Sequence, residues 1–212
     1  MKSLEEQEER TERALVRDLK ALFDKRKPSS LKKLFIHTNF ATKRFADLWS
    51  EWWESEIPPR LEVDMIPVFE QVADQVLMVG VEVEFYRDKT KSFCDGLQQI
   101  LSFGIFGFDS LVLWHIFAEP METRTIERYV GAAQEIVEGF KLPIVYIATK
   151  LIGTDSFEFF APSPFYSSTI HEAEFLLSAM LDRCLEKRNP LLDRDEIERR
   201  KRMLKVILKI PM

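Results

Sequence analysis

The chain has little of the glycine, proline and cysteine that mark disordered or disulfide-rich proteins. Seven glycines and ten prolines occur among 212 residues, which argues against a low-complexity chain. The two cysteines, Cys94 and Cys184, form no spacing motif, so no zinc site is readable and a reducing compartment suits them. No apolar run reaches the roughly 18 residues that a membrane span needs, and the charged N-terminus lacks a signal-peptide core. We therefore expect an intracellular protein without a membrane partner.

Charge is unevenly distributed along the chain, although the net charge is only −5. Residues 51–85 carry nine acids and one base, whereas residues 199–209 carry six bases and no acid. A second basic group comprises Lys32, Lys33, Lys43 and Arg44. An acidic pocket with separate basic surfaces is expected where a metal site must approach a phosphate backbone. A solvated surface of mixed charge would give the same counts.

The first 58 residues are predicted to form a helical N-terminal region. Residues 3–27 predict a helix whose apolar stripe includes Leu15, Leu19 and Phe23. A second helical stretch is predicted to begin at Leu31 and to end before the Pro58–Pro59 pair. It contains an interruption near residues 38–39, after which the spacing of apolar and tryptophan side chains over residues 45–52 is again helical.

From residue 59 onwards the pattern alternates between strands and helices. We predict strands at 61–69, 76–86, 109–117 and 143–148, and a weaker strand near 156–160. Helices are predicted at 92–103, 122–139 and 168–187, followed by a short basic helix at the end of the chain. Residues 59–212 are therefore expected to form an α/β core with C-terminal helices, built on a mixed central β-sheet flanked by helices. The hydrophobic content of 46% is enough for a substantial core.

Four carboxylates occupy two of these predicted strands. Glu62 and Asp64 alternate with apolar residues on the first, and Glu82 and Glu84 do so on the next. Each pair should therefore point to one face of its strand. If the strands are neighbours, four negative charges crowd together, and like charges across strands destabilise a sheet. A divalent cation is the simplest compensation, and oxygen ligands suit Mg²⁺ or Mn²⁺.

The order of these pieces resembles the PD-(D/E)xK nuclease superfamily, whose fold is restriction-endonuclease-like. That family places an aspartate on one strand and a (D/E)-x-K pair on the next, followed by a helix and another strand. Here Asp64 and Glu82-Val83-Glu84 stand at these places. The helix at 92–103 has a Gln99…Phe103 spacing that looks like the Q-x-x-x-Y motif of RecB-like members, with Gln98 one residue away as an alternative.

The resemblance implies a metal-dependent DNA endonuclease that is structure-specific, in the manner of Holliday-junction resolvases, and that acts in DNA replication, repair or recombination. It implies Asp64, Glu82, Glu84 and Gln99 as catalytic residues, with Asp64 and Glu82 holding Mg²⁺ or Mn²⁺. It also implies duplex or branched DNA as the partner and a homodimer as the assembly. The similarity is strongest to archaeal viral members, which would place the protein in the host cytoplasm.

One departure from the family motif leaves the function open. Glu84 stands where the motif lysine belongs, and glutamate supplies no positive charge. Arg87, Lys89 or Lys91 could reach back to replace that lysine, or Glu84 could act as a metal ligand or general base. The site could instead bind DNA without cutting it, and an α/β assembly protein with merely solvated acids is a further alternative.

Several other residues receive more ordinary interpretations. His115 lies in an apolar run and is predicted to be a hydrogen-bonded core histidine, whereas His37 has no partner spacing and is assigned no role. Trp49, Trp52 and Trp53 are interpreted as core residues, or as dimer anchors if they are exposed. The basic run at 199–202 is either a solvated helix face or a patch that contacts phosphate.

Overall fold

The computed structural model describes residues 11–46, 61–71, 75–162 and 169–210. The strands in these ranges are β1 (Leu31–Asn39), β2 (Glu62–Glu70), β3 (Val76–Tyr86), β4 (Ser110–Phe117), β5 (Val145–Ile152), β6 (Ser156–Ala161) and β7 (Ile170–Glu172). The α-helices in them are α1 (Glu12–Lys25), α2 (Leu97–Phe103), α3 (Thr123–Gly139), α4 (Ala173–Glu186) and α5 (Asp195–Leu208).

All seven strands of the described residues belong to one mixed sheet, in which they lie in sequence order from β1 to β7. The pairs β3–β4 and β4–β5 are parallel, and the other pairs are antiparallel. The two parallel connections contain α2 and α3, because a parallel pair needs a crossover long enough to return the chain to the same edge. The predicted α/β class with a mixed sheet and flanking helices is confirmed.

Apolar side chains cover both faces of the sheet. On one face, α1 and α4 bury stripes that include Leu15, Leu19 and Leu176. On the other face, α2, α3 and α5 contribute Phe103, Val130 and other buried residues. The central strands β3 and β4 are therefore enclosed from both sides, so that any polar side chain on them lies in the interior.

The helical interpretation of residues 31–39 is wrong, because they form the edge strand β1, which pairs with β2. The pairing register shifts between Leu31 and Lys33, which marks an inserted residue, a β-bulge. An inserted residue breaks the alternation of a strand. Leu31 and Leu34 therefore both reach the core beneath α1, although they are three residues apart. A bulged strand thus reproduced the spacing of a helix.

Smaller differences concern element ends. The helix predicted at 168–187 begins only at Ala173, because residues 170–172 form the short strand β7, and the helix predicted at 92–103 begins only at Leu97. The prediction for His115 is confirmed: its side chain is fully buried, and its Nδ1 lies 3.0 Å from the hydroxyl of Tyr146. Trp49, Trp52 and Trp53 lie outside the described residues. No helix in the described ranges is both long and apolar enough to cross a membrane.

Candidate functional site

The candidate site lies where β2 and β3 separate. Their ladder runs from Glu70–Val76 to Met65–Val81. Beyond it, the backbone N–H of Val83 donates to Oδ2 of Asp64 at 3.0 Å. The backbone N–H of Phe85 donates to Oε2 of Glu12 at 3.0 Å. Carboxylates from two other elements thus satisfy the backbone at the end of β3, which brings negative charge into the sheet itself.

The structure brings together the four residues that the sequence selected. Glu82 and Glu84 project from β3 and are only 4% and 9% exposed. Nε2 of Gln99, on α2, donates to Oε2 of Glu82 at 2.8 Å and to the backbone carbonyl of Glu62 at 3.1 Å. Gln99 therefore ties α2 to both acidic strands. The alternative glutamine, Gln98, is exposed to solvent.

Lys91 enters this acidic cluster from the segment before α2, while Arg13 approaches its edge, where Nη2 lies 3.5 Å from Oε1 of Glu62. Nζ of Lys91 lies 2.5 Å from Oε2 of Glu84 and 2.6 Å from Oε2 of Glu12. Burial lowers the pKa of Lys91, but the hydrogen bonds and the negative charge of these two glutamates outweigh it and raise the pKa overall. Among the three bases that the sequence offered, Arg87 and Lys89 are exposed. Lys91 is the one of them whose ammonium group donates to both Glu12 and Glu84 in the described part of the chain.

Two residues of the cluster were missed by sequence reasoning. Glu12 comes from the first turn of α1, whose N-cap is Thr11, and it stands among many other acids near the N-terminus. His37 comes from the end of β1 with a left-handed φ of 48°. Nδ1 of His37 lies 3.2 Å from Oε1 of Glu62. A non-glycine residue with positive φ is uncommon, but the sequence carried no signal for it.

Burial and mutual repulsion favour the protonated forms of the acids. Burial, together with the charges of Glu12, Glu84 and Glu62, raises the pKa of Asp64 to about 7, although the N–H of Val83 opposes the shift. Burial and the neighbouring acids, Asp64 first among them, raise the pKa of Glu82 to about 10. Burial also raises the pKa of Glu84, with Lys91 opposing that shift. The cluster therefore has too little positive charge of its own to keep every acid ionised near neutral pH.

Gly96 closes the site from the side of α2. It is the N-cap of α2 and has a left-handed φ of 77°. A Cβ at this position would lie 2.7 Å from Cδ1 of Leu113 and 3.1 Å from Oε1 of Glu84. Beside it opens a cleft of about 460 Å³, lined by Leu61, Cys94, Asp95, Gly96, Gln98, Gln99 and Ser102. Through Gln99, this cleft borders the acidic cluster.

The basic run at 199–202 lies on α5 and divides between interior and surface. Nη1 of Arg200 donates to the carbonyl of Ile105 at 3.1 Å, and Nζ of Lys201 lies 2.6 Å from Oδ1 of the buried Asp109. The interpretation of the whole run as one patch, either solvated or contacting phosphate, is therefore wrong. Arg200 and Lys201 anchor the helix to the protein. Arg199 and Arg202 face outward.

The second basic group approaches the end of the same helix. Nη2 of Arg44 donates to the carbonyl of Ile207 at 2.6 Å, and Nζ of Lys33 donates to the carbonyl of Lys209. Cations at a helix C-terminus are stabilised by the free carbonyl groups there. Two basic groups that are far apart in the sequence thus adjoin in space.

Comparison of the chain with protein-family models, with curated proteins and with solved structures gives no match. The resemblance to the PD-(D/E)xK superfamily therefore stays a prediction, and the function has to be argued from the site.

Proposed function

We propose that the protein is a metal-dependent DNA endonuclease of the PD-(D/E)xK type. The observation that carries the proposal is the position of Lys91. Its ammonium group contacts Glu84, the residue that replaces the lysine of the motif, so a cation stands beside the acids although the motif position is acidic. The order of the elements also agrees with the resemblance, since Asp64 is on β2, Glu82 and Glu84 are on β3, and α2 and β4 follow.

The acidic residues suit a divalent cation such as Mg²⁺ or Mn²⁺. Asp64 and Glu82 offer oxygen ligands, and both have pKa values raised by burial and by neighbouring carboxylates. A cation at these two side chains would relieve that repulsion. When bound, such an ion lowers the pKa of a water molecule and withdraws charge from a phosphoryl oxygen.

The remaining residues hold and balance this centre. The N–H of Val83 fixes one oxygen of Asp64, and the amide of Gln99 fixes one oxygen of Glu82. The ammonium group of Lys91 supplies positive charge for a phosphate that enters the site. Glu84, and Glu12 from α1, each accept a hydrogen bond from the ammonium group of Lys91 and so hold it in position.

The DNA that the site would cut is proposed to be duplex or branched, with a role in replication, repair or recombination. The outward-facing bases of α5, Arg199 and Arg202, supply positive charge for phosphate contacts, which make binding fall as salt rises. A homodimer is proposed because two strands of a branched substrate require two active sites. Trp49, Trp52 and Trp53, which would anchor a dimer only if exposed, lie outside the described residues.

Cleavage by Lys91 variants tests the proposal. Loss of one group that stabilises charge in the transition state costs about 10²–10³ in rate. We therefore expect Lys91→Met to cut linear, flapped and four-way DNA at least ~100-fold more slowly than wild type, with Mn²⁺ binding by calorimetry nearly unchanged. The control is Lys89→Met, because Lys89 is exposed and should leave both activity and metal binding unchanged.

Exchange of the charges at positions 84 and 91 tests whether cleavage needs the cation at one particular position or only its presence in the site. The double variant Glu84→Lys with Lys91→Glu restores the family motif and keeps one cation between the same elements. It should cut faster than Lys91→Glu alone. A wild-type protein that binds Mn²⁺ and DNA but cuts none of these substrates would instead support the alternative of a DNA-binding protein on the same fold. Absence of both metal and DNA binding would leave the assembly protein.

A further inference from the structure

A ring nitrogen of His37, on β1, points toward the acidic cluster. The side chain of His37 is 10% exposed, and Nδ1 is fully buried without a hydrogen-bond partner among the described residues. One ligand atom each from His37, Glu62 and Asp64 lie within 4.8 Å of one another. The imidazole thus stands at one end of a compact set of three donor atoms, and β1 and β2 hold that set.

The hydrogen bonding of the ring defines which nitrogen carries a proton. Nε2 lies 3.2 Å from the backbone carbonyl of Arg13, and a carbonyl can only accept, so Nε2 must donate. In the neutral ring, Nδ1 then presents a lone pair toward the Glu62 carboxylate, 3.2 Å away. The guanidinium of Arg13 lies 3.5 Å from the same oxygen of Glu62, but its side chain is largely exposed and Nδ1 itself still has no hydrogen-bond partner among the described residues. A proton on Nδ1 or a metal ion bound to it would supply that partner, and the nitrogen modulation described below distinguishes the two. Metal-bound histidines have this arrangement, with the second nitrogen donating to a backbone carbonyl.

We propose that His37, Glu62 and Asp64 form a second divalent-cation position, which binds a transition-metal ion such as Mn²⁺ through the imidazole. It rests on the proposed function through Asp64, which it shares with the Asp64–Glu82 centre. Imidazole is a poorer ligand for Mg²⁺, which prefers oxygen donors and retains its waters, than for first-row transition metals. The second position is therefore selective for Mn²⁺ over Mg²⁺.

Electron spin-echo spectroscopy of bound Mn²⁺ tests this position without any cleavage assay. A ring nitrogen that coordinates the ion gives a nitrogen modulation, which changes when the protein contains isotopically labelled histidine. We expect this modulation in wild type and its loss in His37→Asn, because asparagine also tolerates a left-handed φ but has no ring. Mn²⁺ affinity at this position should fall at least ~10-fold. The matched control is His171→Asn, on β7, which should retain the signal.

The Glu82→Gln variant separates this inference from the proposed function. It removes a ligand of the Asp64–Glu82 centre but none of the second position, so the histidine modulation should persist in it. Persistence of the modulation in both Glu82→Gln and His171→Asn, with its loss in His37→Asn, supports the proposal even if no DNA is cut. Absence of a histidine modulation in wild type, or its survival in His37→Asn, overturns the proposal.

Discussion

At the scale of single residues, Gly96 shows how closely the site is packed. Its backbone is left-handed, and a side chain there would press on Leu113 and on the carboxylate of Glu84. Glycine avoids both the steric cost of positive φ and the contact. The residue therefore fixes how near α2 can come to the acidic strands.

Replacement of Gly96 by alanine should destabilise the fold and disturb the site. We expect the free energy of unfolding to fall by about 1–3 kcal/mol, the usual cost of a residue in an unfavourable backbone region, and DNA cleavage to slow because Glu84, which holds Lys91, is displaced. Urea unfolding and a cleavage assay measure the two effects. Gly131→Ala is the control, because a Cβ on Gly131 of α3 would have nothing within 4 Å. It should instead stabilise the protein by about 0.5–1 kcal/mol. Equal effects of the two substitutions would contradict this account.

At the scale of elements, α5 shows why charge counts in the sequence did not locate the surface. Lys201 pairs with Asp109, whose other oxygen accepts from the backbone of Met78 at 2.8 Å. The helix therefore docks through an ion pair between Lys201 and Asp109, two charged residues that charge counts alone would place in solvent.

The two kinds of base on α5 should respond differently to substitution. Lys201→Met leaves Asp109 buried without its cation, which costs about 3–5 kcal/mol for a buried pair. Arg202→Gln replaces an exposed base and should change stability by less than about 0.5 kcal/mol. If α5 contacts DNA, Arg202→Gln should also reduce the slope of log affinity against log salt by about 1. Thermal unfolding and fluorescence titration at several salt concentrations measure both. A stable Lys201→Met would refute the docking role.

The elements that the sequence predicted are those whose pattern is local. The alternation in β2 and β3 located their strands and placed Asp64, Glu82 and Glu84 correctly on them. The bulge in β1 gave the apolar residues of that strand a spacing typical of a helix, so the strand was predicted as a helix. Glu12, His37 and the choice of Lys91 could not be predicted, because their places depend on how separate elements pack and not on any nearby residues.

At the scale of the whole molecule, repulsion within the acidic cluster links the stability of the fold to the protonation of its acids. The site is assembled from α1, β1, β2, β3 and α2, so its repulsion acts on the folded state as a whole. The folded pKa values of Asp64 and Glu82 lie above those of the free side chains, near 7 and 10 in place of 3.8 and 4.5. The folded protein therefore retains protons that the unfolded chain has already released.

The metal-free protein should lose stability as pH rises. The contribution of a group with a raised folded pKa is complete below its unfolded pKa and is lost as pH rises through the folded value. In EDTA, we expect the free energy of unfolding to fall between about pH 5 and about pH 9, with a slope of up to about 1.4 kcal/mol per pH unit for each proton involved. Mn²⁺ should restore stability at the higher pH. Glu82→Gln should flatten the slope, and a metal-free wild type that gains stability across this range would contradict the assignment.

The separation of β2 and β3 has a consequence for how sequences of this kind evolve. The carboxylates of Asp64 and Glu12 accept the backbone N–H groups of Val83 and Phe85, so they complete the sheet as well as the acidic cluster. A lineage that lost the proposed chemistry would still be under selection to keep an acceptor at both positions, because a buried donor without a partner costs about 1–3 kcal/mol. Retention of these acids among descendants would therefore record the demands of folding, and would not by itself show that the proposed chemistry survived.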